Sequence, residues 1–308
     1  MVEKIDLVIP YVNGYDPEWN IIYEKYSNRK TNITSDTNKE TRYDGEDILK
    51  YVFRSISLYL PWINTVHLLV MMDSQVPEWI DRQKVHIVYH KDFIPEKYLP
   101  TFNSSVIELF IHNIPNLSEN FIYINDDVFF TQPLHPKDFF TKEGYLLNNI
   151  HHILYKDFRT INAPYISTFI NASKLAARGT DVNFLTYQKC CMVKHLSAPY
   201  NRKWMEIAYK VNEKELKSSI TFFRDEKNVN IYYFAFYEAY RGRMKKENRR
   251  GTYWGLLTSR YDKIEKDLYD ENIKEMCVND IEKTTIEDKK WLQKTLLKRF
   301  PHKCIYEK

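Results

Sequence analysis

The sequence is poor in glycine, with 7 glycines among 308 residues. Glycine-rich phosphate-binding loops need several glycines in a fixed pattern, so that backbone N–H groups can reach the phosphates. Neither the G-x-G-x-x-G pattern nor the G-x-x-x-x-G-K-[ST] pattern occurs. Any phosphate that this chain binds is therefore held by side chains, helix ends or a metal ion.

Cysteine and long apolar runs are also scarce. The cysteines, which show no C-x-x-C spacing, are Cys190, Cys191, Cys277 and Cys304. This pattern predicts free thiols in a reducing compartment. No segment approaches the roughly 18 apolar residues of a spanning helix, and the first residues lack the features of a signal peptide. We expect a cytoplasmic protein, with peripheral contact to the inner face of the cell membrane left open.

The composition is that of a globular protein. Hydrophobic residues make up 44% and aromatic residues 15% of the chain, enough for the core of one large or two modest domains. The formal net charge of +4 is too small to indicate a nucleic-acid partner, and no DNA- or RNA-binding motif occurs. We therefore expect no nucleic acid among the partners.

Short apolar runs alternate with helical spacings up to residue 130. Runs rich in β-branched and aromatic residues are typical of strands buried on both faces. The runs lie at 5–12, 66–72, 85–89 and 121–124, and the helical spacings at 42–59 and 104–112. The alternation predicts an α/β fold with a mostly parallel sheet flanked by helices.

Beyond residue 134 the alternation weakens, and helical spacings follow at 229–240 and 286–300. We therefore expect a single domain, 1–308, in which an α/β core at 1–145 is completed by a more helical part at 146–308. The stretch 23–40 is rich in Asn, Lys and Thr, which is typical of a surface loop.

The predicted strand 121–124 ends in three polar residues, Asn125, Asp126 and Asp127. In an open α/β sheet, ligands bind beyond the carboxyl ends of the strands. Adjacent carboxylates at such a place suit Mg²⁺ or Mn²⁺, which prefer oxygen ligands and share them with phosphates. The alternative is an Asx turn that closes the strand. The residues alone leave both interpretations open.

Other polar positions have weaker signals. Asn13-Gly14 follows the first predicted strand and is also typical of an ordinary turn. His195 lies in a polar loop before a helix and is a candidate general base, since an imidazole titrates near neutrality. The pair His151-His152 is not expected to bind one ion, because neighbours on a strand point to opposite faces. Arg54 lies beside an apolar stripe, so its charge is either paired or reaches solvent.

The segment 241–250 (RGRMKKENRR) holds six basic residues and one acid. It fits a solvated loop or a surface for an anionic partner such as a phospholipid membrane. Near the end of the chain, a short apolar piece ends in Asn279-Asp280 and resembles the acidic strand tip at 125–127.

Together these pieces resemble the Stealth family of sugar-1-phosphate transferases. The family includes bacterial capsular polysaccharide phosphotransferases and the N-acetylglucosamine-1-phosphotransferase that tags lysosomal enzymes. All four family blocks have counterparts in the same order: DLVIPYVNGYDPEW at 6–19, the stretch 42–130 with RYDGEDILKYVFRSI, FNSSVIE and INDDVFF, residues 195–206 with Phe223-Arg224, and CVND at 277–280.

The resemblance implies a glycosyltransferase-A-like fold that binds a nucleotide sugar, most often a UDP-sugar. It also implies the reaction: an acceptor hydroxyl on a glycan attacks the phosphorus bonded to the sugar, UMP leaves, and a phosphodiester forms. Such phosphoryl transfer depends mainly on positioning and on neutralising charge. The expected setting is capsular or cell-surface polysaccharide synthesis, with a lipid-linked glycan as one form of the acceptor.

Residue roles follow from the resemblance. Mg²⁺ or Mn²⁺ is expected on Asp127, Asp280 and Asn279. Arg224 is expected to make a forked contact to phosphate oxygens, and His195 or else Asp126 to take the proton of the acceptor hydroxyl. The residues expected to bind the donor are Asn13, Gly14, Arg42, Arg54, Asn103, Ser104 and Asn125.

Two other functions remain open at the level of the sequence. One is an ordinary metal-dependent glycosyltransferase, which attacks the anomeric carbon and releases UDP. The other is a non-catalytic glycan-binding protein on the same scaffold. The nucleotide that is released, UMP, UDP or none, distinguishes the three.

Overall fold

A computed structural model describes residues 4–27, 48–148, 150–154, 165–181, 189–247, 249–281 and 283–308. The predicted donor-binding residue Arg42 and most of the predicted loop 23–40 lie outside these ranges. The side chains of His151, His152, Cys190 and Cys191 are likewise not described, so their predictions stay as they are.

The strands of the described part are short and mostly buried. They are β1 Ile5–Pro10, β2 Val66–Val70, β3 Val85–Tyr89, β4 Asn120–Tyr123, β5 Val128–Phe130, β6 Leu146–Asn148, β7 Ile150–Leu154, β8 Lys189–Val193, β9 Ala198–Asn201, β10 Met244–Lys246, β11 Gly251–Gly255 and β12 Glu275–Asn279.

The helices of the described part are up to 14 residues long. They are α1 Pro17–Ser27, α2 Leu49–Tyr59, α3 His90–Phe93, α4 Ser104–Leu109, α5 Tyr165–Ala176, α6 Arg202–Val211, α7 Glu213–Ser218, α8 Tyr232–Tyr240, α9 Tyr261–Tyr269 and α10 Ile286–Arg299.

The main sheet has the strand order β3-β2-β1-β4-β9. Its first four strands run parallel, and only the edge strand β9 is antiparallel. Every residue of β2 and β4 is buried, which explains their continuous apolar character. The predicted α/β class with a mostly parallel sheet is confirmed.

A second sheet, of order β11-β12-β5, begins where the main sheet ends. The chain leaves β4, turns at residues 124–127 and enters β5, which pairs antiparallel with β12. Strands from both sides of residue 145 therefore share two sheets, through the pairs β4–β9 and β5–β12. The single domain and its division at residue 145 stay predictions.

Two predicted loops are partly wrong. Helix α1 continues to Ser27, so the first five residues of the predicted loop 23–40 are helical. Residues 198–201, predicted as a loop before a helix, form β9, and helix α6 follows directly. Pro199 is accepted in this strand because β9 lies at the edge of the sheet, where a missing N–H costs no ladder bond to an outer neighbour.

The basic segment 241–250, interpreted as a solvated loop or as a surface for an anionic partner, has three of its six basic side chains held by partners within the protein. Arg241 donates to the carbonyl oxygens of Ala176 and Tyr237, and Arg243 pairs with the carboxylate of Glu238. Arg249 is buried against Glu275 at 3.3 Å. The exposed basic side chains of the segment are Lys245, Lys246 and Arg250.

The structure also bears on the predictions about the cysteines and about membrane-spanning helices. Cys277 and Cys304, the cysteines whose side chains are described, are both free. Across the described ranges, no helix has the length and the apolar composition needed to cross a bilayer.

Candidate active site

The strand order of the main sheet creates a crevice between β1 and β4. From β1 the chain proceeds to β2 on one side, whereas β4 lies on the other side. Val8 pairs with Tyr123, so the two strands end side by side, with Asn13 beyond one and Asn125 beyond the other. Ligands of open α/β sheets bind at such a topological switch point. The acidic tip therefore lies where the sequence predicted a ligand.

The tip itself is a tight turn, in which the N–H of Val128 donates to the carbonyl oxygen of Asn125 at 3.2 Å. The side chains do not close this turn. The amide oxygen of Asn125 accepts a hydrogen bond from the Tyr123 hydroxyl at 3.0 Å, and its amide nitrogen lies 2.8 Å from Nε2 of His195. The backbone thus forms the turn, and the polar side chains remain for other partners.

His195 reaches the tip because β9 pairs antiparallel with β4. Tyr123 pairs with Ala198, so the residues just before β9 lie beside those just after β4. Since Tyr123 donates to the amide oxygen of Asn125, the amide nitrogen faces His195 and Nε2 accepts. The other ring nitrogen, Nδ1, lies 3.4 Å from the Tyr232 hydroxyl. Nε2 of His195 is therefore unprotonated at the tip, and its lone pair accepts the hydrogen bond from Asn125.

Asp127 is buried, and its two carboxylate oxygens have different surroundings. Oδ2 accepts a hydrogen bond from the Asn279 amide at 2.7 Å. Oδ1 is buried without a hydrogen-bond partner and lies 3.9 Å from Nε2 of His195. Strand β12 supplies this arrangement, because the N–H of Val278 donates to the Asp127 carbonyl oxygen and brings Asn279 and Cys277 alongside.

Negative charge accumulates around the tip. Burial, followed by the charges of Asp127 and Asp280, raises the pKa of Asp126 to about 7. Burial beside the Asp127 carboxylate also raises the pKa of the Cys277 thiol far above its usual value, so the thiol is neutral. The carboxylate of Asp280 lies 3.0 Å from the Lys289 ammonium. A site with three crowded carboxylates favours a cation.

The predicted metal ligands fit Mg²⁺ or Mn²⁺ on chemical grounds. The unpartnered Oδ1 of Asp127 is a buried anionic oxygen that a cation would satisfy, and the carboxylates of Asp126 and Asp280 act on the same place. Oxygen ligands of this kind are those that both ions prefer. Asn279 uses its amide nitrogen to hold Asp127. Its role as a ligand stays a prediction, as does the identity of the ion.

Arg224 and Ser104 are brought together, since a guanidinium nitrogen of Arg224 donates to the Ser104 hydroxyl at 3.0 Å. An aromatic cluster makes this meeting possible. Phe102 and Phe223 stack with their ring centroids 5.1 Å apart, and Trp19 packs edge-on against Phe102. Three stretches quoted from the sequence thus share one cluster.

Two residues predicted to bind the donor have structural partners in the fold, and their donor-binding role stays a prediction. The amide oxygen of Asn103 caps helix α4 at Ser105 N–H, and its amide nitrogen donates within the segment 221–228, where the Asn228 oxygen lies at 2.9 Å. The guanidinium of Arg54 makes a forked pair with Glu307 at 2.8 and 2.9 Å. A donor-binding role finds no support in these contacts.

Asn13 and Gly14 lie beyond β1, at the same edge as the acidic tip. The Asn13 side chain accepts from the N–H of Tyr15 at 3.0 Å, which is an Asx turn. The Gly14 carbonyl oxygen accepts from the Asn20 amide. The turn interpretation therefore explains their local contacts, and their donor-binding role stays a prediction.

Glu108 is a member of the site that sequence reasoning missed. It is buried, and its carboxylate accepts from the N–H of Ile231 at 2.9 Å. It also lies 3.1 Å from the Tyr123 hydroxyl, which shares its single proton between Glu108 and the Asn125 oxygen. Burial raises its pKa, and those two hydrogen bonds and the Arg224 charge only partly oppose the rise. It links Arg224 through Tyr123 to Asn125. The available signal was an acidic residue on the inward face of the short helix α4.

Comparison with known proteins identifies the class. The family model described as Stealth protein conserved region 2 matches residues 42–147. Capsular polysaccharide phosphotransferase WcwK of Streptococcus pneumoniae is 30% identical over 335 aligned positions, covering 100% of both chains. Capsular polysaccharide phosphotransferase LcbA of Neisseria meningitidis is 33% identical over 249 residues.

The chain belongs to the Stealth family. Its match to LcbA covers 75% of this chain and 63% of that relative, and its match to cps1A of Actinobacillus pleuropneumoniae covers 75% and 64%. The chain thus spans just under two thirds of these two relatives. Among solved structures, galactosyltransferase LgtC with donor and acceptor sugar analogues shows a distant likeness, with TM-score 0.44, 11% identity and coverage of 94% and 95%.

Proposed function

We propose that the protein transfers a sugar-1-phosphate from a nucleotide sugar, most often a UDP-sugar, to a hydroxyl of a glycan acceptor. The product is a phosphodiester, and UMP is released. One observation carries the proposal: an unpartnered, buried carboxylate oxygen of Asp127 lies 3.9 Å from Nε2 of His195 at the switch point of the sheet. A carboxylate oxygen that can bind a metal ion and a residue that can accept a proton thus lie next to each other. The names of the relatives support polysaccharide phosphotransfer.

The reaction balances as a single displacement at phosphorus. The acceptor oxygen forms a bond to the phosphorus that carries the sugar, and the bond from that phosphorus to the oxygen bridging it to UMP breaks. The acceptor proton goes to a base on the protein, and UMP leaves as the anion. A bound Mg²⁺ or Mn²⁺ would neutralise charge on the phosphates.

Two residues are candidates for the base. Nε2 of His195 is unprotonated, because it accepts a hydrogen bond from the amide nitrogen of Asn125, and it can take a proton when the acceptor hydroxyl replaces that amide. Asp126 has its pKa raised to about 7 by burial and by neighbouring carboxylates, which suits proton transfer near neutrality. We assign the base to His195, because its Nε2 lies beside the unpartnered oxygen of Asp127, and regard Asp126 as the alternative.

Arg224 supports the negative charge that shifts between the phosphoryl oxygens and the leaving group. Its guanidinium is held by the Ser104 hydroxyl and lies in the field of Glu108. A planar guanidinium can donate two parallel hydrogen bonds to phosphate oxygens. Glu108 and Ser104 are positioning residues in this account, since they act through Arg224 and Tyr123.

The setting that we propose is capsular or cell-surface polysaccharide synthesis. The relatives carry that activity in their names. The acceptor is then a glycan, with a lipid-linked form as one case. Contact with a membrane surface would place the enzyme near such an acceptor.

The test is to identify the nucleotide that the protein releases. Purified protein is incubated with UDP-hexoses or UDP-N-acetylhexosamines, a glycan acceptor and Mg²⁺ or Mn²⁺, and the nucleotides are separated by chromatography. UMP formed in proportion to a phosphodiester supports the proposal, and Asp127→Asn should lose it. Asp262→Asn, which changes an exposed carboxylate at the start of α9, is the matched control. Release of UDP would indicate glycosyl transfer, and release of neither would indicate a binding protein.

A further inference from the structure

We propose that Asp127, His195 and Cys277 form a binding site for Zn²⁺, which competes with the ion of the proposed reaction for Asp127. Of the described residues, these three place one ligand atom each within 4.8 Å of one another. Zinc binding depends on this geometry alone, whereas its competition with the ion of the reaction rests on the proposed function.

The spacing suits a tetrahedral ion. Zinc bonds of about 2.0–2.3 Å place neighbouring ligand atoms roughly 3.3–3.8 Å apart. Oδ1 of Asp127 and Nε2 of His195 are already 3.9 Å apart. From separations of up to 4.8 Å, the three ligand atoms need to approach by roughly 1–1.5 Å to close around the ion.

One ligand atom is prepared for an ion and two must change their state. Oδ1 of Asp127 is buried and has no hydrogen-bond partner, while Asn279 fixes the other oxygen of the same carboxylate. Nε2 of His195 accepts from the Asn125 amide at 2.8 Å, so zinc would displace that hydrogen bond, and Nδ1 faces the Tyr232 hydroxyl. The Cys277 thiol would lose its proton as the ion binds. A metal-binding histidine commonly directs its second nitrogen to such a partner, which holds the ring in orientation.

The mixture of donors selects the kind of ion. Mg²⁺ takes oxygen ligands, whereas an imidazole nitrogen with a thiolate sulfur suits Zn²⁺. Binding would release the thiol proton of Cys277 to solvent and leave one coordination position for water or an anion. Zinc would then occupy the base and the anionic oxygen together, so free zinc would inhibit the enzyme.

Cobalt reports the proposed coordination directly. Co²⁺ replaces Zn²⁺ in such sites, and a bound thiolate gives a sulfur-to-cobalt charge-transfer absorption. One equivalent of Co²⁺ should produce this absorption in the metal-free wild type and in Cys304→Ser, the matched control at the other described free cysteine. The absorption should disappear in Cys277→Ser.

Calorimetry provides a second measurement that does not depend on Cys277 tolerating substitution. Zn²⁺ affinity should fall at least tenfold in His195→Gln, a change at a half-exposed side chain. Mn²⁺ binding should weaken in Asp127→Asn and stay within twofold of wild type in Cys277→Ser. An absorption that survives in Cys277→Ser, or its absence from the wild type, would overturn the proposal. Zinc binding without UMP release would contradict only the proposed function.

Discussion

Asp127 shows how differently the two oxygens of one carboxylate can be placed. One oxygen is fixed by Asn279, and the other is buried with no hydrogen-bond partner. Leaving a buried anionic oxygen unpaired is costly unless a ligand completes it. Asn279 therefore orients the Asp127 carboxylate, and the other carboxylate oxygen is placed to bind a cation.

The metal dependence follows from this arrangement. We expect EDTA to abolish transfer and Mg²⁺ or Mn²⁺ to restore it, because phosphate charge would otherwise face the carboxylates of Asp126, Asp127 and Asp280. Steady-state transfer before and after chelation measures this. In Asp127→Asn, added metal should restore less than about 1% of the wild-type rate. Full activity in chelator would remove the metal from the account.

Substitution of Arg224 tests whether phosphate binding needs two parallel hydrogen-bond donors or only a positive charge. Arg224→Lys keeps the charge and loses the two parallel donors, so kcat should fall by about 10²-fold. The measurement is kcat beside KM for the donor. Arg82→Lys, which changes an exposed arginine paired with Asp73, should stay near wild type. Near-normal kcat in Arg224→Lys would make the arginine a structural residue.

Among individual site residues, the sequence predicted those that lie at strand tips. Asn125, Asp126 and Asp127 were found because polar residues directly after a buried strand have a known place in an open sheet. Glu108 and Tyr232 were missed. Glu108 depends on the hydrogen bond from Ile231, 123 residues away, and Tyr232 on its contact with His195, 37 residues away. No local pattern reports such contacts.

The elements that bear the site differ in how clearly the sequence shows them. Strands β1, β2 and β4 are mainly apolar, because both of their faces are covered. Strand β3, at the edge of the sheet, is only partly buried. Strand β9 has only four residues, Ala198–Asn201, and contains a proline. Short edge strands lack the apolar alternation and accept proline, so the sequence indicated a loop there.

Helix α3 carries a histidine that should make stability depend on pH. His90 is buried, both of its ring nitrogens lack a hydrogen-bond partner, and burial lowers its pKa from 6.5 to about 3. Between these values the unfolded chain binds a proton that the folded protein does not. Stability is therefore full above pH 6.5 and is lost as the pH falls below it.

His90→Phe should remove this contribution. We expect the free energy of unfolding to rise by about 1 kcal/mol at pH 7.5, since two unpaired polar atoms leave the core. Below pH 6, the slope of the free energy of unfolding against pH should be smaller than in the wild type by up to about 1.4 kcal/mol per pH unit. Urea denaturation at several pH values measures both. His302→Phe, at an exposed position, is the control. An equal pH dependence in His90→Phe and wild type would contradict the assignment.

Across the whole molecule, residues far apart in the sequence pack together, and one case is the packing of residues 306 and 307 against helix α2. Arg54 on α2 forms its forked pair with Glu307, and the two side chains are 10% and 2% exposed. Tyr306 packs edge-on against Phe53. The sequence could not predict this pairing, because the partners are 253 residues apart and only the finished sheet brings them together.

Arg54→Gln distinguishes a structural role from donor binding. Removing one partner of a buried ion pair costs roughly 3–5 kcal/mol, so the free energy of unfolding should fall by about 3 kcal/mol while the donor KM stays within twofold. Arg178→Gln breaks an exposed pair with Glu215 and should cost less than about 1 kcal/mol. Chemical denaturation and donor kinetics measure these effects. A raised donor KM with unchanged stability would support the predicted donor-binding role.

The proposed reaction and ordinary glycosyl transfer break different bonds of the UDP-sugar, and the phosphorus atom next to the sugar ends in different products. A UDP-sugar carrying ³²P in the phosphate next to the sugar is incubated with the protein, the metal ion and the glycan acceptor. If the acceptor oxygen attacks that phosphorus, the label enters the glycan as a phosphodiester and the released UMP is unlabelled. If the label instead appears in released UDP and the glycan gains an unlabelled sugar, the protein attacks the anomeric carbon and the account is wrong.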